Sequence, residues 1–288
     1  MNEMFAAKLK LVATMLLFGT IGIFVRYINM PSSFIALARG FVGALFLLLV
    51  VLLRGEKLDK EAIFKSKWKL IFSGACIGIN WVLLFESYRY TTVATATLCY
   101  YLQPVFVIIA SHFILSEKLT LKKFVCVIIA LCGMIPVSGV LESGLPSMSE
   151  ITGILLAIGA AALYAANIVT NKTMSDMPSY DMTIICMTTA ALTLLPYTLN
   201  TVSFSEITFQ PLPLLLLLTV CVVHSGVAYA MYYSALKLLL AQNVAIYGYI
   251  DPIFAIFLSA IFLKEPFTIS TFIGAVMILG ATFVSNRK

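Results

Sequence analysis

Apolar runs of about twenty residues alternate along the chain with short stretches that hold the charged, Pro and Gly residues. A helix rises 1.5 Å per residue, so a run of about 20 apolar residues crosses a hydrocarbon core of about 30 Å. Divided at its polar punctuation, the chain predicts ten spans, near residues 8–28, 34–53, 69–88, 92–115, 122–139, 151–172, 180–199, 212–236, 241–263 and 268–285. The expected fold is therefore all-α, a polytopic membrane protein of ten transmembrane helices. The first run, Leu9 to Ile28, is long enough to span and is followed by further spans, so it reads as a helix of the bundle rather than a cleaved signal.

Charge adds a direction. If the N-terminus lies inside, the cytoplasmic segments collect fifteen basic residues, among them Lys8, Lys10, Arg54, Lys57, Lys60, Lys65, Lys67, Lys118, Lys172 and Lys237. The outer segments hold three, Arg26, Arg89 and Lys264, while Arg39 falls within the second span. Basic residues favour the cytoplasmic side, so this asymmetry predicts both termini there, in the cytoplasmic (inner) membrane. It also supports the count, because one span more or fewer would scramble the parity of every later loop.

Composition removes several classes of function. With 61% hydrophobic residues, 11% charged residues and a mean hydropathy of +1.02, the 288 residues cannot be covered by one soluble surface, and lipid is an expected partner. The net charge of +6 is accounted for by the topology signal, so no nucleic-acid partner is expected. Cys76, Cys99, Cys126, Cys132, Cys186 and Cys221 all lie in apolar runs without metal-ligand spacing and read as packing residues. No phosphate-binding loop appears, and no zinc-hydrolase or serine-hydrolase motif, so the expectation is no cofactor, no metal, no ATP-driven step and no enzyme.

The chain also repeats itself. A shift of 148 residues aligns Tyr101 with Tyr249, Pro104 with Pro252, Phe106 with Phe254, Ile108 with Ile256, Ser111 with Ser259, Leu115 with Leu263, Glu117 with Glu265, Thr120 with Thr268 and Phe124 with Phe272. Met30-Pro31 and Met177-Pro178 extend the echo to the front of each half. The expected organisation is a first five-helix repeat over 1–144 and a second over 145–288. Five is odd, so the second repeat enters the membrane from the opposite side, the inverted arrangement used by transporters.

The segments ATATLCYYLQPVFVIIASHFILSEKLT (Ala94 to Thr120) and NVAIYGYIDPIFAIFLSAIFLKEPFT (Asn243 to Thr268) resemble the drug/metabolite transporter superfamily, and most of all its ten-helix EamA-type members. The shared pattern is an acidic or amide residue plus proline at mid-helix, an apolar stretch, a turn ending in glutamate, and Thr opening the next helix. The resemblance implies a central cavity lined by helices 1 to 4 and 6 to 9, with helices 5 and 10 peripheral. Gln103 departs from the pattern, standing where many relatives carry glutamate.

Candidate residues follow from depth and type. Asp251 lies about ten residues, or ~15 Å, into the ninth span, near the bilayer midplane, where an ionised carboxylate needs a cation or a proton. The structural alternative is a cap on a kinked helix. Pro252 and Pro104 lack an N–H and release the carbonyls of Gly248 and Tyr100, so each repeat should contain a helix broken at mid-depth. Arg39 and Glu86 lie near the outer ends of helices 2 and 3 and can meet as an outer gate; alternatively Glu86 pairs with Arg89 while Arg39 snorkels outward. Asn80, Trp81, Tyr88, Tyr100, Tyr101, Gln103, Tyr164, Asn167, His224, Tyr229, Tyr232, Asn243, Tyr247 and Tyr249 are candidate cavity residues, each with a packing or interfacial role as the alternative. Aromatic faces with few fixed charges suit amphipathic solutes or organic cations better than inorganic ions. Small residues on helix 1 (Gly19, Thr20, Gly22) and helix 10 (Gly274, Gly280) read as close-packing positions.

The function this pattern predicts is secondary transport of a small organic solute, such as an amino acid, an amine or a related metabolite or drug. It would proceed by alternating access, with proton coupling through Asp251, in a monomer or homodimer. The alternative is a membrane receptor or channel subunit that uses the same helices without alternating access.

Overall fold

The structure is a computed structural model that describes residues 3–114, 120–137, 146–174, 177–236, 247–248, 250–265 and 267–286. Helix α1 runs Glu3–Ile28, α2 Ser32–Leu53 and α3 Lys67–Tyr90. Helix α4 runs Val93–Ile114 and is interrupted between Tyr100 and Gln103. Helix α5 comprises Leu121–Cys132 and a last turn, Met134–Val137. Helix α6 runs Met148–Lys172 and α7 Ser179–Thr201. Helix α8 begins at Pro211, widens to a π-helix over Val220–Val227 and ends at Leu236. Helices α9, Ile250–Phe262, and α10, Ile269–Asn286, complete the bundle. Seven of these are long and apolar enough to span by themselves, and α9 and α10 are shorter apolar helices. The protein is thus an all-helical, multi-pass membrane protein.

Side-chain size decides which face of each helix meets protein and which meets lipid. On α2, Phe41, Leu45, Leu49 and Leu52 are exposed, one below another at helical spacing. The opposite face holds Ala36, Gly40, Gly43, Ala44 and Leu47, all buried. A Cβ on Gly40 would stand 2.9 Å from the Met187 carbonyl of α7, and one on Gly43 3.0 Å from Ser225 of α8. On α3, a Cβ at Gly74 would stand 2.6 Å from the Cys186 carbonyl of α7. In lipid, where apolar surface alone does not drive association, such close backbone approach is what packs helices together.

Polar bonds join α3 to α6. Ser73 donates to Asn171 Oδ1 at 2.7 Å, Asn167 Nδ2 donates to Ser73 Oγ at 2.7 Å, and Asn80 Nδ2 donates to the Ala160 carbonyl at 2.5 Å.

The helix pairings come in sets that exchange when five is added to each number. Helix α3 packs on α6 and α1 on α8; α3 on α7 and α2 on α8; α1 on α9 and α4 on α6. The pairs α2–α7, α4–α9 and α5–α10 map onto themselves. Pro31 and Pro178, aligned in the repeat, occupy the same place: each precedes the first residue of its helix with nearly the same backbone, φ −56° and ψ 136° against φ −55° and ψ 132°. Five of the six cysteines are buried, Cys132 is exposed, and all six are free. On α10, Gly274 does meet a neighbour, its carbonyl lying 3.2 Å from where a Cβ of Gly133 would sit. At Gly280, where close packing was expected, no atom of the described residues comes within 4 Å of where a Cβ would sit.

Candidate functional site

A cavity of about 100 Å³, room for several water molecules, lies at the centre of the bundle. Its wall takes Phe18, Gly19, Ile21 and Gly22 from α1, Arg39 from α2, and Trp81, Leu84, Phe85 and Tyr88 from α3. Helix α4 supplies Thr97, Tyr100, Tyr101 and Gln103, α6 Tyr164, α8 Tyr229, and α9 Asp251 and Ala255. Among the described residues, helices α5 and α10 stay outside it. So does α7, which the family pattern had led us to expect in the wall; its buried face is taken up by the glycines of α2 and α3.

The break in α4 sits just before Pro104. The Tyr101 and Leu102 amides still bond to Thr97 and Cys99, and the helix restarts at Gln103. In the second half Asp251 occupies the first turn of α9, the place that Gln103 holds in the first. Pro252 frees the Gly248 carbonyl, as expected, and that carbonyl accepts the Tyr101 hydroxyl at 3.0 Å. The same hydroxyl lies 3.1 Å from Asp251 Oδ2. One tyrosine of the first half therefore holds both the broken turn and the carboxylate of the second. Among the described residues no backbone N–H donates to the Asp251 carboxylate, so it does not cap its own helix; it faces the cavity. The Gln103 side-chain oxygen is buried and has no partner among the described residues.

Arg39 is 3% exposed. Its Nε donates to Ser225 Oγ at 2.9 Å, and the Ser225 hydroxyl in turn donates to the Val220 carbonyl five residues back, across the π-helical turn. The guanidinium carbon stands 4.3 Å from the centre of the Trp81 ring and 5.3 Å from that of Phe85. Cation–π contact contributes about 0.5–2 kcal/mol. Burying an ion costs several kcal/mol, so the rings alone do not balance the charge.

The expected Arg39–Glu86 gate is absent from this conformation. Glu86 accepts from Ser32 at 2.6 Å and lies 3.5 Å from Arg89, and both of these partners line a vestibule of about 190 Å³ on the face opposite the chain termini. Arg39 does not snorkel outward either, because it points into the cavity. Phe85 and Tyr88 line both spaces and form the layer between them.

Several other expected cavity residues are elsewhere. Asn80 and Asn167 are used in the α3–α6 contact. His224, buried on α8, meets Thr20 Oγ1 at 2.7 Å and packs edge-on to Phe24. Tyr247 and Tyr232 pack against Ala7, Leu11, Met15 and Ala235. Asn243 and Tyr249 fall outside the described residues, as does the side chain of Pro104.

Glu265 gained no role from its sequence beyond the repeat. Its carboxylate accepts from the Val93 and Ala94 amides at 3.0 and 3.3 Å, at the N-terminus of α4, and pairs with Arg26 at 3.3 Å. It thereby ties the ends of α1, α4 and α9 together on the face opposite the termini. The repeated glutamate after an apolar run was the available signal.

The comparisons with known proteins agree with this architecture. The EamA-like transporter family matches twice, over residues 6–139 and 151–287, and the chain belongs to that family. It is 27% identical over 258 residues to the uncharacterized transporter YxxF of Bacillus subtilis, covering 89% of this chain and 81% of that protein. It is also 27% identical over 274 residues to the uncharacterized transporter YvbV of the same organism, covering 91% and 88%. An uncharacterized transporter of Archaeoglobus fulgidus is 24% identical over 281 residues, covering 95% and 94%. A crystal structure of a protein with 17% sequence identity shares the fold, with a TM-score of 0.69 over 96% of this chain and 95% of that one.

Proposed function

We propose that the chain is a secondary carrier that moves a small organic solute, an amino acid, an amine or a related metabolite or drug, across the cytoplasmic membrane by alternating access. Both termini would be cytoplasmic, as the fifteen-to-three division of basic residues suggests. The observation that carries the reading is the central cavity itself. Its wall is drawn from both halves of the chain, and a titratable carboxylate of one half is held by a tyrosine of the other. Relative movement of the halves must remake that contact, which couples the cavity's access to the state of Asp251. In this reading the carboxylate is balanced by a proton or by the solute in turn.

Counterflow in proteoliposomes tests the carrier. Vesicles loaded with excess unlabelled solute should accumulate the labelled form in a transient overshoot; leucine, phenylalanine and 2-phenylethylamine are suitable first solutes. A channel or receptor subunit would let label equilibrate without overshoot, or exclude it.

A further inference from the structure

The protein has placed its own cation where an organic cation was expected. The indole face of Trp81 is the best cation-binding surface in the cavity, and the Arg39 guanidinium already lies over it. A cationic solute entering this space would meet both an occupied ring and a like charge.

The electrostatics of Arg39 are left open on the cavity side. Among the described residues its only hydrogen bond is from Nε to Ser225, and no carboxylate lies within ion-pairing distance of it. Both terminal nitrogens, which make up the fork of the guanidinium, remain without an acceptor among the described residues. Ser225 is in turn fixed to Val220 through the widened turn of α8, so the orientation of the fork is set by the helix and not by solvent.

We infer that the solute carries a carboxylate, which the Arg39 fork takes in the central cavity above Trp81. The inference rests on the cavity being the carrier's solute site. A planar carboxylate matches two parallel N–H donors and brings a negative charge to the fork, which has none within ion-pairing distance among the described residues. A doubly charged phosphate would leave one negative charge unbalanced in a space whose wall also carries the acid Asp251. The remaining wall is mostly apolar and aromatic, so the rest of the solute is a small hydrocarbon or aromatic group, and Asp251 faces whatever amine it bears.

Direct binding to the purified full chain tests this with shape-matched probes. Leucine, 4-methylpentanoate and 3-methylbutylamine form one set; phenylalanine, 3-phenylpropionate and 2-phenylethylamine form a second, with 2-phenylethylphosphonate as the doubly charged control. Calorimetry should show binding of the acids and no binding of the amines that lack an acid group. R39Q should weaken acid binding about ten- to a hundredfold, the loss expected for hydrogen bonds to a charged group. R39K, which keeps the charge and loses the fork, should fall between. Ser225→Ala leaves the cation in place and frees its orientation, so it should weaken the same probes by a smaller factor in a chain whose thermal unfolding is unchanged. Amine binding equal to that of the acids, stronger binding of the phosphonate, acid binding indifferent to R39Q, or silence of every acid would overturn the inference. Counterflow of an amine alone would do so while leaving the carrier reading intact.

Discussion

Among the described residues the partner of Asp251 is a neutral hydroxyl, and a neutral donor can orient a carboxylate without cancelling its charge. The ionised form therefore waits on a cation or a proton, and Gln103, at the matching place in the first half, cannot share that duty because it does not ionise. Asp251→Asn should leave folding intact and remove the response of uptake to an imposed pH gradient in liposomes; wild-type rates with an unchanged gradient response would exclude coupling at this residue. Part of this site was legible in the chain. A proline one residue after Asp251 announced a free Gly248 carbonyl, and a buried carbonyl demands a donor. That the donor would be Tyr101, from the other half, is a three-dimensional fact with no local trace. Arg39 was hidden for a related reason: hydropathy gives the depth of a residue but not the rotation of its helix, so a cation on α2 looked equally able to meet Glu86 or to reach outward, and its inward turn went unread. The glycines of α1 were legible as packing positions, and they are: a Cβ on Gly19 would stand 2.8 Å from the Asp251 carbonyl and one on Gly22 2.5 Å from Val93. Their place in the cavity wall follows from that closeness.

Among the elements, long apolar helices were the easiest to read, since each must satisfy its own backbone in lipid and so keeps an unbroken run. The described ends of α1, α2, α3, α6 and α7 extend the predicted spans by only a few residues. Departures from regular helix were less visible. The interruption of α4 had its proline, but the π-helical turn of α8 has none: Val220–Val227 reads VCVVHSGV, an ordinary apolar helix in sequence. It is the turn that sets Ser225 against Arg39. The other device missed at this scale is the Glu265 tie. A carboxylate at a helix N-terminus satisfies otherwise orphaned amides and meets the positive end of the helix dipole, a contribution of roughly 1 kcal/mol. Glu265→Ala should therefore speed hydrogen exchange at the Val93 and Ala94 amides by about fivefold, with α6 unaffected. Unchanged exchange at those two amides would show that Thr92, whose side chain also caps α4, suffices alone.

For the whole molecule, the pairing of helices under exchange of the two halves gives the bundle two faces built from like parts. Orientation can be checked chemically in a chain freed of its six native cysteines. A cysteine at Ser203, exposed on the face opposite the termini, should react with an impermeant thiol reagent added to intact cells, and one at Ser66 should not. The reverse pattern would invert the topology. The central claim, that one cavity opens in turn to both sides, needs a reporter inside the cavity. Thr97 is buried in its wall between the two halves. In sealed vesicles of known orientation, Thr97→Cys should be modified by a small impermeant thiol reagent whether it is added outside or trapped inside. Labelling from one side only, under every solute and pH gradient applied, would contradict alternating access.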